Sequence, residues 1–326
     1  MSMILDGSNG VTFNDSSLQG AAASPFGLKN RIINGDMRID QRNAGASVTI
    51  SSDSLFITDR FQMRNSQNSK FTAQQNQGSV TPPSGFTNYL GFTVSTAVTV
   101  GSTDYFMIRQ IIEGYNITDL DWGKATAKTV TLSFWVRSSL TGTFGGSLQN
   151  DATNRAYPFS YTISAANTWE QKTITIAGDT SGTWNTTTAG GIKINLGLGN
   201  GSSYGGTAGA WVAGDYHSVT GAVNLVGTNG ATFYITGVQL EQNTSATPFE
   251  RRMFGYEFLL CQRYYQTSAA EIRTSNSTVY WRPELRSNPA IGGGGAGFTM
   301  LDGRTTMALC LQSSNAVQII TAAAEL

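Results

Sequence analysis

The residues able to do covalent chemistry are few and badly spaced for it. The single histidine, His217, sits in a Gly/Asp/Ser/Thr loop with no cysteine or second histidine beside it. A His/Cys zinc site and a histidine proton relay therefore each lack a partner, and His217 reads as an ordinary exposed loop residue. A glycosidase needs two acidic side chains ~5–10 Å apart; Asp104, Glu113, Asp119, Asp121, Glu241 and Glu250 are the candidates, and no spacing pairs any two of them. No GxxxxGK[ST] phosphate loop is present. Cys261 and Cys310 lack metal-ligand spacing and read as buried free thiols. Asp, Asn and backbone oxygens suit a calcium ion, but without an EF-hand-like loop no ligand can be named, so neither a metal nor any other cofactor is assigned. The expectation is a protein that is not an enzyme.

Binding has more material. Aromatic side chains offer flat apolar faces with a polar handle, and nearby amides can orient a ligand by hydrogen bonding. Trp135 alternates onto the same strand face as Arg137, while Trp169, Trp184, Tyr204, Trp211 and Tyr216 fall in Gly/Asn/Thr-rich stretches. These seven are the candidate glycan-binding residues, and the competing reading for each is packing in a core or a subunit interface. The 21 basic and 21 acidic side chains cancel and only 13% of residues are charged, which argues against a nucleic-acid footprint. No apolar run approaches the ~18–20 residues of a membrane span, so no membrane insertion is expected. The start, MSMILDGSNG, has neither the basic nor the apolar region of a secretory signal.

The elements that must position these side chains have a period of two. In VTLSFWVR (130–137), Val130, Leu132, Phe134 and Val136 share one face, and Thr131, Ser133, Trp135 and Arg137 the other. Similar runs lie at 70–75, 88–96, 105–112, 172–177, 191–197 and 231–238, each bounded by turn residues. Short alternating strands predict an all-β fold, an antiparallel jelly-roll β-sandwich over 29–250. Residues 1–28 are small and polar and cannot bury enough surface to fold alone; they read as an extended arm, with Val11 and Phe13 as its apolar contacts. Asp36, Arg38, Asp40 and Arg42 alternate in sign and could lock neighbouring subunits, although surface pairs are worth only ~0–1 kcal/mol each. Near the sandwich end, Gly237 permits a bulge in FYITGVQLE, and Thr247-Pro248-Phe249 ends the strand. Arg251 and Arg252 are placed to pair with Glu250 or Glu257, or to cap carbonyls at a junction. Phe254, Phe258, Leu259 and Cys261 predict a short amphipathic helix, which leads a smaller β-rich domain over 251–326 with strands at 279–285, 298–301, 305–311 and 317–321.

Five stretches carry a resemblance: NRIINGDMRIDQRNAG (30–45), TDRF (58–61), VTLSFWVRSS (130–139), FYITGVQLEQNTSATPFERR (233–252) and LCQRYYQ (260–266). Together they resemble phage tail-fibre and virion-surface structural proteins, whose domains are similar to carbohydrate-binding jelly-roll modules. The opening ILDGSNGVTFNDSS (4–17) is similar to a virion-attaching end. The resemblance implies a tail fibre or receptor-binding protein on the particle surface, assembled in the host cytoplasm. It further implies a homotrimer, docked to other virion proteins through the arm and contacting host cell-surface polysaccharide. A capsid decoration or head-fibre protein is the alternative reading, and a glycan-cleaving tailspike the second.

Overall fold

The computed structural model describes residues 29–267, Leu285 and 321–325 with their side chains, and the backbone of the strands outside them. The first strands are β1 (Ile4–Asp6), β2 (Gly10–Thr12) and β3 (Leu18–Gln19), an antiparallel trio. Val11 lies on β2, but its side chain, and Phe13 altogether, fall outside the described residues. The sandwich follows with β4 (Val48–Thr49), β5 (Leu55–Thr58), β6 (Phe61–Asn65), β7 (Phe71–Gln75), β8 (Leu90–Val94), β9 (Tyr105–Glu113) and β10 (Val130–Ser138). It continues with β11 (Gly142–Asn150), β12 (Arg155–Ile163), β13 (Glu170–Ile176), β14 (Gly190–Asn200), β15 (Gly205–Gly206), β16 (Val212–Ala213), β17 (Ser218–Val219) and β18 (Thr232–Glu241). A short helix, α1 (Phe254–Gln262), then leads β19 (Tyr265–Ile272), β20 (Ser277–Tyr280), β21 (Ala290–Gly293), β22 (Phe298–Gly303), β23 (Met307–Gln312) and β24 (Ala316–Ala323).

The jelly roll has a six-stranded sheet in the order β13-β10-β18-β8-β7-β4 and a seven-stranded sheet in the order β16-β12-β11-β14-β9-β6-β5, with every neighbouring pair antiparallel. The alternation explains why they face each other. Leu132, Phe134 and Val136 of β10 and Phe233 and Ile235 of β18 meet Phe106 and Ile108 of β9, Phe144 and Leu148 of β11 and Ile194 and Leu196 of β14 in one core. Each such side chain contributes about 1.5–3 kcal/mol by leaving water. The bulge expected at Gly237 is present: its φ is +62° and the β10–β18 register shifts between Ser133 and Trp135.

Three details differ from the sequence reading. Strands β11 and β12 were not expected, because GTFGGSLQN lacks the β-branched run that marks a strand. Helix α1 splits the expected apolar face: Cys261 is buried with Phe258 packed against its cluster, whereas Phe254 and Leu259 are 56% and 48% exposed, and Glu257 is buried instead. The charges at 36–42 do not lie on one extended stretch, because Asn34 and Met37 at φ +59° and +58° break the alternation. Their partners lie within the chain. Arg38 pairs with Asp36 at 2.5 Å, Asp40 accepts from the Asn43 and Gly45 amides at 2.9 and 2.8 Å, and Arg42 pairs with Glu325 at 2.7 Å over the Tyr265 ring.

Residues 29–45 run between β18 and α1, and side chains satisfy much of their backbone. Glu250 accepts from the Lys29 and Asn30 amides, both at 3.0 Å, and Gln110 exchanges two 2.9 Å bonds with Ile33. Asn30 Oδ1 accepts from the Leu240 amide of β18 at 3.1 Å. Arg252 is buried here, donating to the carbonyls of Ile32 and Asn30 and pairing with Glu257 at 3.3 Å and Glu250 at 3.1 Å. This is the junction role read for it from sequence. Removing one partner of a buried pair leaves the other charge uncompensated, so Arg252→Ala should lower the unfolding free energy by about 3–5 kcal/mol. Urea titration checks this; a loss below ~1 kcal/mol would contradict the clamp.

Asp59, in the same layer, is 1% exposed and accepts two hydrogen bonds from Gln41. Burial raises its pKa from 3.8 to about 7, against the bonds from Gln41. A group raised on folding contributes stability that is complete below its unfolded pKa and lost as pH rises through the folded one. Between about pH 4 and 7, wild-type stability should therefore fall relative to Asp59→Asn by up to ~1.4 kcal/mol per pH unit. Parallel urea midpoints for the two proteins across that window would rule this out.

Candidate functional site

The outer face of the seven-stranded sheet carries a cavity of about 280 Å³, near the lower end of the ~300–1,000 Å³ typical of small-ligand sites. Its roof is the loop 201–223, which holds the short parallel pair β15 and β17. The loop can lie this close because β11 is glycine there: a Cβ on Gly145 would sit 2.4 Å from Ser218 Oγ and 2.8 Å from the Val219 nitrogen. The glycines that hid the strand from the sequence reading are what bring the roof down onto it.

The floor is a buried polar network. Arg109 of β9 donates Nε to Asn195 Oδ1 at 2.6 Å and Nη2 to Gln149 Oε1 at 3.4 Å. Asn195 in turn donates to Ser147 Oγ at 2.9 Å and to Gln149 Oε1 at 2.7 Å. Lys193, one alternation along β14, pairs with Asp151 at 3.1 Å. The wall is aromatic: Tyr204 stacks on His217 with centroids 4.3 Å apart, and Tyr105 stands edge-on to both at 5.6 and 5.5 Å.

His217 is thus not the exposed loop residue that its neighbours in sequence suggest; it is 5% exposed, with Nε2 2.9 Å from Asp215 Oδ1. A ring nitrogen facing a carboxylate must carry the proton, which leaves Nδ1 as a buried acceptor with no partner among the described residues. Burial holds the His217 pKa below its usual 6.5, with the bond to Asp215 opposing, so the ring is neutral at neutral pH. Burial, and then the charge of Arg64, bring the Arg109 pKa down to about 9, and burial also lowers that of Lys193. The site presents cationic donors, amides and flat rings.

The structure separates the seven aromatic and basic candidates. Tyr204 lines this cavity, and Tyr216 packs beside it against Gly206 and Gly214. Trp135 and Arg137 of β10 and Trp169, next to β13, lie at the opposite, six-stranded sheet, where the segment 76–88 meets Trp135 and Trp169. There Trp169 Nε1 donates to the Thr81 carbonyl at 2.8 Å, the Tyr89 hydroxyl donates to the Gln77 carbonyl at 2.7 Å, and Arg137 donates to the Asn167 carbonyl at 2.8 Å over the Tyr234 ring. A Cβ on Gly237 would lie 2.7 Å from Phe86 and 3.1 Å from Trp135, so these two rings close on the bulge. Trp184 and Trp211 form a box with Trp122, centroids 4.7–5.4 Å apart. Their indole N–H groups are taken by Asp179, Ala177 and Lys128. Trp184 is a core residue, not a platform.

The six acidic candidates are likewise held by neighbours. Glu113 binds Arg263 and Tyr264, Asp119 binds Arg31, Asp121 binds Lys124, Glu241 binds Gln239 and Thr247, Glu250 binds Arg252, and Asp104 binds Ser66 and Gln67. Sequence reasoning missed Arg64, Tyr105, Arg109, Lys193 and Asp215. A signal existed in YFMIRQIIE and GGIKINLG, where a single cation sits at mid-strand in a run that is mostly apolar or glycine. Trp184→Ala should cost about 3–5 kcal/mol, while Tyr204→Ala, half-exposed, should cost under ~1.5 kcal/mol. Comparable losses in thermal unfolding would place Tyr204 in the core instead.

Neither a protein-family model nor a curated protein matches the sequence. Among solved structures the chain is similar to the enzymatically active domain of tailspike protein 4 of bacteriophage CBA120, with TM-score 0.36 and 13% identity over 66% of this chain and 21% of that one. It is also similar to a CBM4 module, with TM-score 0.33 and 14% identity over 64% of this chain and 98% of that one. TmCBM61 in complex with β-1,4-galactotriose gives TM-score 0.31 and 12% identity over 59% of this chain and 100% of that one. The match takes in about a fifth of the tailspike chain.

Proposed function

We propose that this chain is a non-enzymatic phage virion protein, a tail fibre or receptor-binding protein that recognises host-surface polysaccharide through the cavity on its seven-stranded sheet. The observation that carries the reading is the pairing of flat rings, Tyr204 and Tyr105, with a floor of fixed amides and cationic donors from three adjacent strands. A sugar has the matching halves: an apolar ring face and a rim of hydroxyls. Binding is favoured over cleavage because Asp215 is the one carboxylate among the described lining residues and is itself held by His217 and Gln149, whereas hydrolysis takes two. The five sequence stretches support a place on the phage particle. Exposed Met253, Phe254, Tyr256 and Leu259 on and beside α1 support assembly with further copies, and the same resemblance supports three. Repetition lets weak individual sites hold a surface.

Retention on immobilised host polysaccharide tests the reading. Tyr204→Ala should weaken retention about three- to ten-fold, Trp135→Ala should match wild type, and no reducing ends should appear in the supernatant. Loss in the Trp135 variant alone would move the site to the other sheet; release of reducing ends would sink the non-enzymatic reading.

A further inference from the structure

The glycan reading leaves open which sugar the cavity takes, and its charges bear on that. Most of the ions around it are already matched. Arg64 pairs with Asp53 at 2.8 Å and Lys193 with Asp151 at 3.1 Å, while Asp215 accepts from the neutral Gln149 and His217 at 2.8 and 2.9 Å and feels the Arg109 charge only at longer range. Arg109 is the exception. It is 3% exposed, its hydrogen bonds go to the neutral side chains of Asn195, Gln149 and Met107, and its Nη1 has no partner among the described residues. A buried cation that no carboxylate touches keeps a desolvation cost that the more distant charges of Asp215 and Asp53 offset only in part. A guanidinium held there, at the edge of a cavity and with no carboxylate in contact, is suited to a ligand that supplies an anion. A guanidinium binds a carboxylate with two parallel, charge-assisted bonds. A bare anion would leave the aromatic wall and most of the 280 Å³ unused; a charged ring would not.

We propose that the cavity takes a uronic-acid residue of the glycan, with its carboxylate on Arg109 and its ring against Tyr204; this rests on the glycan-recognition reading above. Calorimetric titration with trigalacturonate, its methyl ester, galactotriose and sodium acetate tests it. Wild type should bind trigalacturonate about ten-fold or more tightly than the ester or galactotriose, with the margin narrowing as sodium chloride screens the charge. Arg109→Gln should remove the margin. The ester and salt comparisons use wild type alone and hold even if that variant fails to fold. Equal affinity for acid and ester overturns the proposal and leaves glycan recognition standing. Acetate binding as tightly as trigalacturonate makes this a bare anion site and overturns it too. Absence of heat with trigalacturonate also overturns it, and retention on host polysaccharide then decides whether glycan recognition falls with it.

Discussion

Arg252 is the interaction on which the rest of the architecture leans. An irregular segment such as 29–45 brings backbone donors and acceptors into the interior, and each must find a partner there. Arg252 supplies carbonyl caps to Asn30 and Ile32 while Glu250 and Glu257 answer its charge and take the amides of residues 29, 30 and 34. One cation thus ties the entry to the sandwich, the exit from its last strand and the start of α1. Arg60 and Arg42 repeat the device further on by both reaching Glu325, and Arg263 does so at Glu113. Glu325, just past β24, and Arg263, just past α1, are thereby tied to the sandwich by ion pairs.

With the sandwich closed in this way, its two outer faces have different fates. On the six-stranded sheet the aromatic handles are consumed in pinning the segment 76–88, so rings that look like platforms act as fasteners. On the seven-stranded sheet the loop 201–223 touches down at Gly145 but stands off over Arg109 and Lys193. The same loop supplies Tyr204, Asp215 and His217, so roof and wall are one element and the floor is the sheet. A rigid floor under a loop-borne wall is a common division of labour in recognition sites.

The sequence was legible where burial is periodic. Val130 to Val136 declared their face, Gly237 its bulge, and Arg252 its junction, because each depends on local spacing or backbone freedom. It was illegible where tertiary approach decides. β11 does not read as a strand because Gly145 answers to a loop some 70 residues away, and no window along the chain contains both. His217 looks exposed in its own neighbourhood and is buried by Tyr204 and Tyr105. Of the aromatic candidates, Tyr204 was found on composition alone, while Arg109 escaped because mid-strand charge reads as an ordinary solvent-facing residue until the covering loop is known.

The central claim is that the open face of the seven-stranded sheet, not the aromatic face opposite, meets the glycan. The most direct measurement is a crystal structure of the chain grown with trigalacturonate. The account predicts density for a sugar residue inside the cavity, its carboxylate within hydrogen-bond distance of the Arg109 guanidinium and its ring along Tyr204. An empty cavity with the oligosaccharide lying beside Trp135 on the six-stranded sheet would contradict it.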